Sequence, residues 1–366
     1  MSDLNNNIVN TNNKDLIKGV EETPKGGTRS PKTGGSVGVS LGNTVVNVTK
    51  LTKWQLLAKV QGMLEGTNYG VLRCQQVLGQ VQIVKGSEGS WFAGIATCKN
   101  VWLCPVCNLR ISAERGEMIR QTQDKGFYMA MLTLTLQHNQ GDKLDDLLGA
   151  LKAAVREMKR SAVWARIKKE FGIIAYVTAY EITYGKNGWH PHVHTILYFD
   201  DVPDRDALFQ KLVDRWLHVV EKVGRYASTD HGLDLSKTDA EQGADYITKF
   251  RSNLAYELTG QYNKGKTFWE LVQQGKQKLV LEYARATYRL KTLTWSHHAK
   301  KILGIKKNDV KDDDENIEVL ANIGDNLWRV IRSRCLQGFI LELAEIDQDG
   351  LYRYLGQLCS EHENEA

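Results

Sequence analysis

The chain has 366 residues, 42% of them hydrophobic and 25% charged, with a formal net charge of +5. This is the composition of an ordinary soluble protein with room for two or three domains, and its mild basicity permits a nucleic-acid partner without demanding one. No run reaches the roughly 18 apolar residues of a membrane span, the start lacks the apolar core of a secretory signal, and six cysteines are too few for a disulfide scaffold. No membrane partner is therefore expected, and a reducing, cytoplasmic setting is.

Residues 1–50 are rich in Asn, Gly, Thr and Lys and nearly free of aromatics. They cannot bury enough surface to offset ordering, which predicts a disordered leader. Helical patterning begins at Trp54 in KWQLLAKVQGMLEG, and after a cysteine-bearing segment CNLRISAERGEMIRQTQDKG predicts a helix carrying Arg110, Arg115 and Arg120. FYMAMLTLTLQH (127–138) reads as a buried strand. DKLDDLLGALKAAVREMKRSAVWARIKKEFG repeats apolar residues at three and four and places Lys152, Arg156, Lys159 and Arg160 on its other face, which predicts an amphipathic helix.

IIAYVTAYEITYG, the turn KNG and GWHPHVHTILYF then predict a β-hairpin. Helices are expected at about 204–223 and 239–257. KKNDVKDDDEN is a charge run expected to be a solvated linker, and helical periodicity resumes after it. The order strand, helix, strand, strand, helix predicts an α+β fold in which helices cover an antiparallel sheet. The expected division is a leader (1–50), a metal-binding module with helices (51–125), a central α+β domain (126–305), a charged linker (306–318) and a C-terminal helical region (319–366).

Two clusters carry chemistry. CKNVWLCPVC spaces Cys98, Cys104 and Cys107 so that the Cys-Pro-x-Cys turn would aim two thiolates at one ion, with Cys74 as the fourth ligand of a closed zinc site. A CxxC redox pair and three unconnected buried cysteines are the alternative readings, the redox pair less suited to a segment with a third cysteine so near. In the second cluster, three of the nine histidines fall within five residues, His190, His192 and His194. On a strand, His192 and His194 would point to one side about 7 Å apart and could lean onto one ion. A polar edge strand with merely hydrogen-bonded histidines is the plainer alternative.

MLTLT (131–135), WHPHVHTILYF (189–199) and GADYITKF (243–250), in that order, resemble the three motifs of HUH endonucleases. The likeness is closest to plasmid rolling-circle replication initiators with a single catalytic tyrosine. CKNVWLCPVCNLRISAER, YEITYGKNGWHPHVH and YARATYRLKTLTWS (283–296) extend it over roughly residues 70–305. The resemblance implies an HUH fold and an enzyme that nicks one strand of origin DNA, stays joined to the 5′ phosphate and leaves a 3′ hydroxyl for a host polymerase, with a helicase recruited. It implies Mg²⁺ or Mn²⁺ held by His192, His194 and Glu181, and Tyr246 as nucleophile, with the Lys249 ammonium favouring the phenolate. His190 is expected beside the metal or against DNA.

Relatives of this type often carry a glutamate four residues before the tyrosine. Here that position is Gln242, and the nearest acids are Glu241 and Asp245. Termination is thus open between one of these acids as the base and a second tyrosine supplied by another subunit of an oligomer. Tyr256 and Tyr262 lack the matched surroundings. Arg110, Arg115, Arg156 and Lys159 are candidate phosphate contacts. An HUH transposase or relaxase is the nearest alternative, and a non-catalytic zinc-dependent DNA-binding regulator the alternative from another class.

Overall fold

The computed structural model describes residues 52–87, 89–123, 125–247, 265–306 and 317–365. The 1–50 segment, Lys249, Tyr256, Tyr262 and residues 307–316 of the charge run lie outside the described residues. The fold is α+β, with two antiparallel sheets flanked by helices.

Helix α1 (Lys53–Met63) opens on a capping box between Thr52 and Gln55. A hairpin of β1 (Val77–Gly86) and β2 (Gly89–Ile95) follows, and then α2 (Pro105–Arg120), which starts with Pro at its first position and Cys104 as its cap. The larger sheet has the order β6-β3-β5-β4-β7. Its strands are β3 (Tyr128–Thr135), β4 (Ile173–Gly185), β5 (Gly188–Phe199), β6 (Leu233–Lys237) and β7 (Leu293–Trp295). The predicted hairpin is present, with Gly185 opposite Gly188 at its turn.

Alternation along the strands gives this sheet two different faces. On one, Ala130, Leu132, Leu134, Val193, Leu197 and Phe199 pack beneath α3 (Leu144–Arg160), α4 (Ala162–Glu170) and α5 (Arg205–Lys222). Helix α3 buries Leu151, Val155 and Met158 there, and Leu144, Leu147 and Leu148 in the cluster around Ile182 and Trp189, each such side chain contributing about 1.5–3 kcal/mol. On the other face, Met129, Met131, Val177, Ile196 and Tyr198 meet Ile119 of α2 and the alanines of α6 (Ala240–Ile247). Helices α7 (Phe268–Gln273) and α8 (Gln277–Ala286) close the end of the sheet around Ile182 and Trp189, and α9 (Ala299–Ile302) completes the α6 side.

The helix expected over 143–170 is two helices. Ser161 is extended and its hydroxyl accepts from the Trp164 backbone 3.1 Å away, so this N-cap restarts the chain in a new direction. The C-terminal region is not all helical either. Glu318–Ile323 forms β8, which pairs with β1 to make a second sheet of order β2-β1-β8. Helices α10 (Asp325–Ser333), α11 (Gln337–Ile346) and α12 (Gln348–Glu365) cover that sheet around Ile83, Phe92 and Trp328. No helix among the described residues is long and apolar enough to cross a membrane.

Candidate metal centre and catalytic face

Strand pairing sets the histidine site. Glu181 of β4 lies directly opposite His192 of β5, and on the other side of β5 Thr133 and Thr135 lie opposite His194 and His192. All of these side chains therefore share one face. The His192 and His194 rings lean together, with centroids 4.7 Å apart and planes at 85°. Their Nε2 atoms lie 2.8 and 2.9 Å from the same Glu181 oxygen. Glu181 and His194 are buried, at 7% and 2% exposure, and His192 is partly exposed.

Burial alone would raise the Glu181 carboxyl, but the charge and hydrogen bonding of His192, then of His194, hold it well below the usual carboxylate range. A carboxylate and two imidazole nitrogens converging on one point form a donor set suited to a divalent cation. Thr133 Oγ1 lies 3.0 Å from His194 Nδ1, which fixes the ring and leaves Nε2 as the nitrogen that faces the site. To hold an ion, both Nε2 atoms must present a lone pair, with the imidazole protons on Nδ1. The residues fit a metal; its identity is left open by this geometry.

His190 stays on the same face, because Pro191 remains in the strand opposite Ile182. Its Nε2 is 3.1 Å from Thr135 Oγ1, outside the convergent trio. Burial first, then the neighbouring His192 and His138, lowers His190 to about 4, so it is neutral at pH 7. His138, absent from the sequence-based candidates, stacks on it with centroids 4.6 Å apart and planes 16° from parallel. It follows β3 in an irregular segment, where no periodicity could have flagged it.

Cys74, Cys98, Cys104 and Cys107 come together, as their spacing suggested. Four thiolates around a zinc at about 2.3 Å would stand about 3.8 Å apart. The sulfur separations here are 3.6 Å for Cys74–Cys104, 3.7 Å for Cys98–Cys107 and 3.9 Å for Cys74–Cys107. The Cys107 backbone donates to the Cys104 sulfur at 3.4 Å, closing the knuckle at the start of α2. Hydrogen bonding to Cys107 and burial push the Cys104 thiol up, while hydrogen bonds from Cys104 and the other cysteines pull Cys107 down. A bound divalent cation would remove that conflict.

Helix α6 lies on the histidine face: a Cβ on Gly243 would stand 2.8 Å from Ile196 Cδ1, two residues beyond His194 on the same side of β5. Tyr246 occupies the last turn of this helix. Glu241 and Asp245, one turn apart, both pair with Arg120 of α2, at 3.0 and 2.6 Å. Their carboxylates face α2, and the structure supplies each with a cation.

Of the basic candidates, Arg110 and Arg156 are exposed. Arg115 is half-buried and donates to Thr292 Oγ1. Lys159 is not on a solvent face, which corrects its expected place. Its stem is part-exposed, but its ammonium turns under the sheet, 2.5 Å from Thr178 Oγ1 and 3.2 Å from Thr195 Oγ1. Charge periodicity put it with Arg156, and the apolar stem let it reach inward instead.

A family model described as "Replication protein" matches residues 91–321, a span that holds Glu181, His192, His194, Tyr246 and three of the four clustered cysteines. The chain is similar to "Protein rep" of Streptomyces lividans, 23% identical over 311 residues, covering 63% of this chain and 68% of the relative. It is also similar to "Neomycin resistance protein" of Streptomyces cyanogenus, 30% identical over 133 residues, covering 28% of this chain and 30% of that protein. No solved structure matches.

Proposed function

The chain belongs to the replication protein family whose model it matches over residues 91–321, and from that premise we propose that it initiates plasmid rolling-circle replication by nicking one strand of its origin. The observation that carries this reading is the convergence of His192 and His194 on one oxygen of Glu181, on the sheet face that α6 covers. That arrangement suits an HUH endonuclease fold, with Tyr246 as the attacking group.

In the proposed step, the Tyr246 phenol loses its proton and its oxygen bonds to phosphorus. The bond from phosphorus to the 3′ oxygen breaks, and that oxygen takes up a proton as a free 3′ hydroxyl. The 5′ phosphate stays on the tyrosine, conserving bond energy so that a later 3′ hydroxyl can rejoin the strand. Glu181, His192 and His194 would hold Mg²⁺ or Mn²⁺, which supplies Lewis-acid polarisation of the phosphate. The sheet fixes these donors, and a neighbouring Lys249 ammonium would favour the phenolate. The four cysteines would hold a structural zinc that orders the start of α2. Origin DNA is the substrate, and a host helicase and polymerase are the partners that a 3′ hydroxyl primer calls for.

The test is a labelled single-stranded oligonucleotide spanning the origin, incubated with Mg²⁺ or Mn²⁺ and run on a denaturing gel. Wild type should give a protein–DNA adduct and Tyr246→Phe none, at equal folding. Duplex binding with no adduct under any divalent ion would favour a DNA-binding regulator instead.

A further inference from the structure

The four imidazoles His138, His190, His192 and His194 form a continuous row, yet only the last two reach Glu181. The near-parallel ring of His138 covers one side of His190 and is itself half-exposed. His138 is only partly buried and stands at the end of the row farthest from Glu181. We propose that His138, backed by His190, is a stacking platform for an unpaired nucleobase close to the scissile phosphate. The proposal rests on the single-strand nicking reading and gives that site a specific contact with its substrate.

A platform has to be rigid before the base arrives, and this one is anchored from several sides. His190 is held by Thr135, and the His138 ring by the Leu136 carbonyl at 3.3 Å. Beyond the ring, the segment is tied down through Asp142, which accepts from the Asn139 backbone at 2.7 Å and from Arg225 at 3.2 Å. The hairpin turn presses against it as well: Gly188 is left-handed, at φ +85°, and an added Cβ would stand 3.0 Å from the Gln140 Cα.

A second exposed aromatic lies next door. The Gln137 backbone donates to the carbonyl of Tyr226, whose side chain is 65% exposed. An exposed aromatic on a segment hydrogen-bonded to the residue before His138 suits a path for successive unpaired bases, because stacking tolerates any base.

The test is an abasic scan. Oligonucleotides spanning the nick site, each lacking one base, are measured for equilibrium binding and for adduct formation. Binding by wild type should fall about tenfold for a gap at one position near the nick. In His138→Ala that position should become insensitive, with the intact strand bound as weakly as the gapped one. His138→Phe should restore the wild-type pattern, because it keeps a flat ring without nitrogens. An unchanged abasic profile in His138→Ala, or a His138→Phe that behaves as alanine, would overturn the platform. The binding arm decides this even if no adduct forms, an outcome that would count against nicking alone.

Discussion

The ammonium of Lys159 lies 2.5 Å from Thr178 Oγ1, on the sheet face opposite the histidines. It also stands over the Tyr176 ring, 4.7 Å from the centroid, and 3.2 Å from Thr195 Oγ1. Burial brings this lysine down to about 7 from the usual 10.5. The core thus tolerates a lysine by discouraging its charge.

The sign of the resulting pH dependence follows. Below pH 7 both folded and unfolded chains carry the proton, so the full cost of burying the charge is present. Between about 7 and 10.5 the unfolded chain holds more protons, and stability rises with pH. Lys159→Met keeps the stem and removes the charge. It should be more stable than wild type at pH 6, by on the order of 3–5 kcal/mol at 1.36 kcal/mol per pH unit, less whatever the lost hydrogen bonds contributed. Urea midpoints at pH 6 and pH 10 check this. A gap that does not shrink toward pH 10 would refute the buried-charge account.

Removing one donor should separate metal binding from DNA binding. Glu181→Gln keeps the shape of the carboxylate but loses its charge, and should weaken Mn²⁺ binding by tenfold or more in a calorimetric titration. His194→Ala should abolish nicking while duplex binding is nearly unchanged, since the proposed phosphate contacts are other, exposed side chains such as Arg110 and Arg156. Chelator should reproduce the His194→Ala phenotype, with Mg²⁺ or Mn²⁺ reversing it. Full cleavage by metal-free protein in excess chelator would sink the assignment.

The cysteine cluster should matter first for folding. Cys74 is fully buried, with its sulfur near those of both Cys104 and Cys107. Cys74→Ser should therefore lower the melting temperature as much as Cys104→Ser, and elemental analysis should find about one zinc per chain. Wild-type protein that is folded, active and free of zinc would refute it.

The site was more legible than the frame around it. Alternation places His192 and His194 on one face because the period of a strand is two and admits no drift, whereas Glu181 comes from the family resemblance and only the strand register sets it opposite His192. Cysteine spacing and a Pro turn likewise announced their cluster. β8 was missed because Glu318–Ile323 is short and its partner β1 is distant in sequence, so the pairing decides what local pattern leaves open. Ser161 was missed because the apolar repeat continues across it while the backbone does not. Lys159 misled because charge says nothing about where a long stem ends.

The proposed nucleophile, Tyr246, sits in the last turn of α6, where its role can be tested directly. Tyr246→Phe removes only the phenolic oxygen, so on the proposed mechanism folding and Mn²⁺ binding should persist while the adduct disappears. Mass spectrometry of the wild-type adduct should find the nucleotide on Tyr246; finding it on Tyr256 or Tyr262 would overturn the choice. Glu241 and Asp245 are more than half exposed and pair with Arg120. Such pairs are worth about 0–1 kcal/mol each, so Glu241→Ala and Asp245→Ala should nick at close to the wild-type rate. If either activates water at termination, its loss should instead lengthen the life of the adduct. Gly243 is the more sensitive position, because its lack of a side chain lets α6 approach Ile196. Gly243→Val should lift the helix from the histidine face and cut the rate of adduct formation at least tenfold, with metal affinity little changed. A Gly243→Val protein that nicks like wild type would show that the position of α6 does not govern the attack.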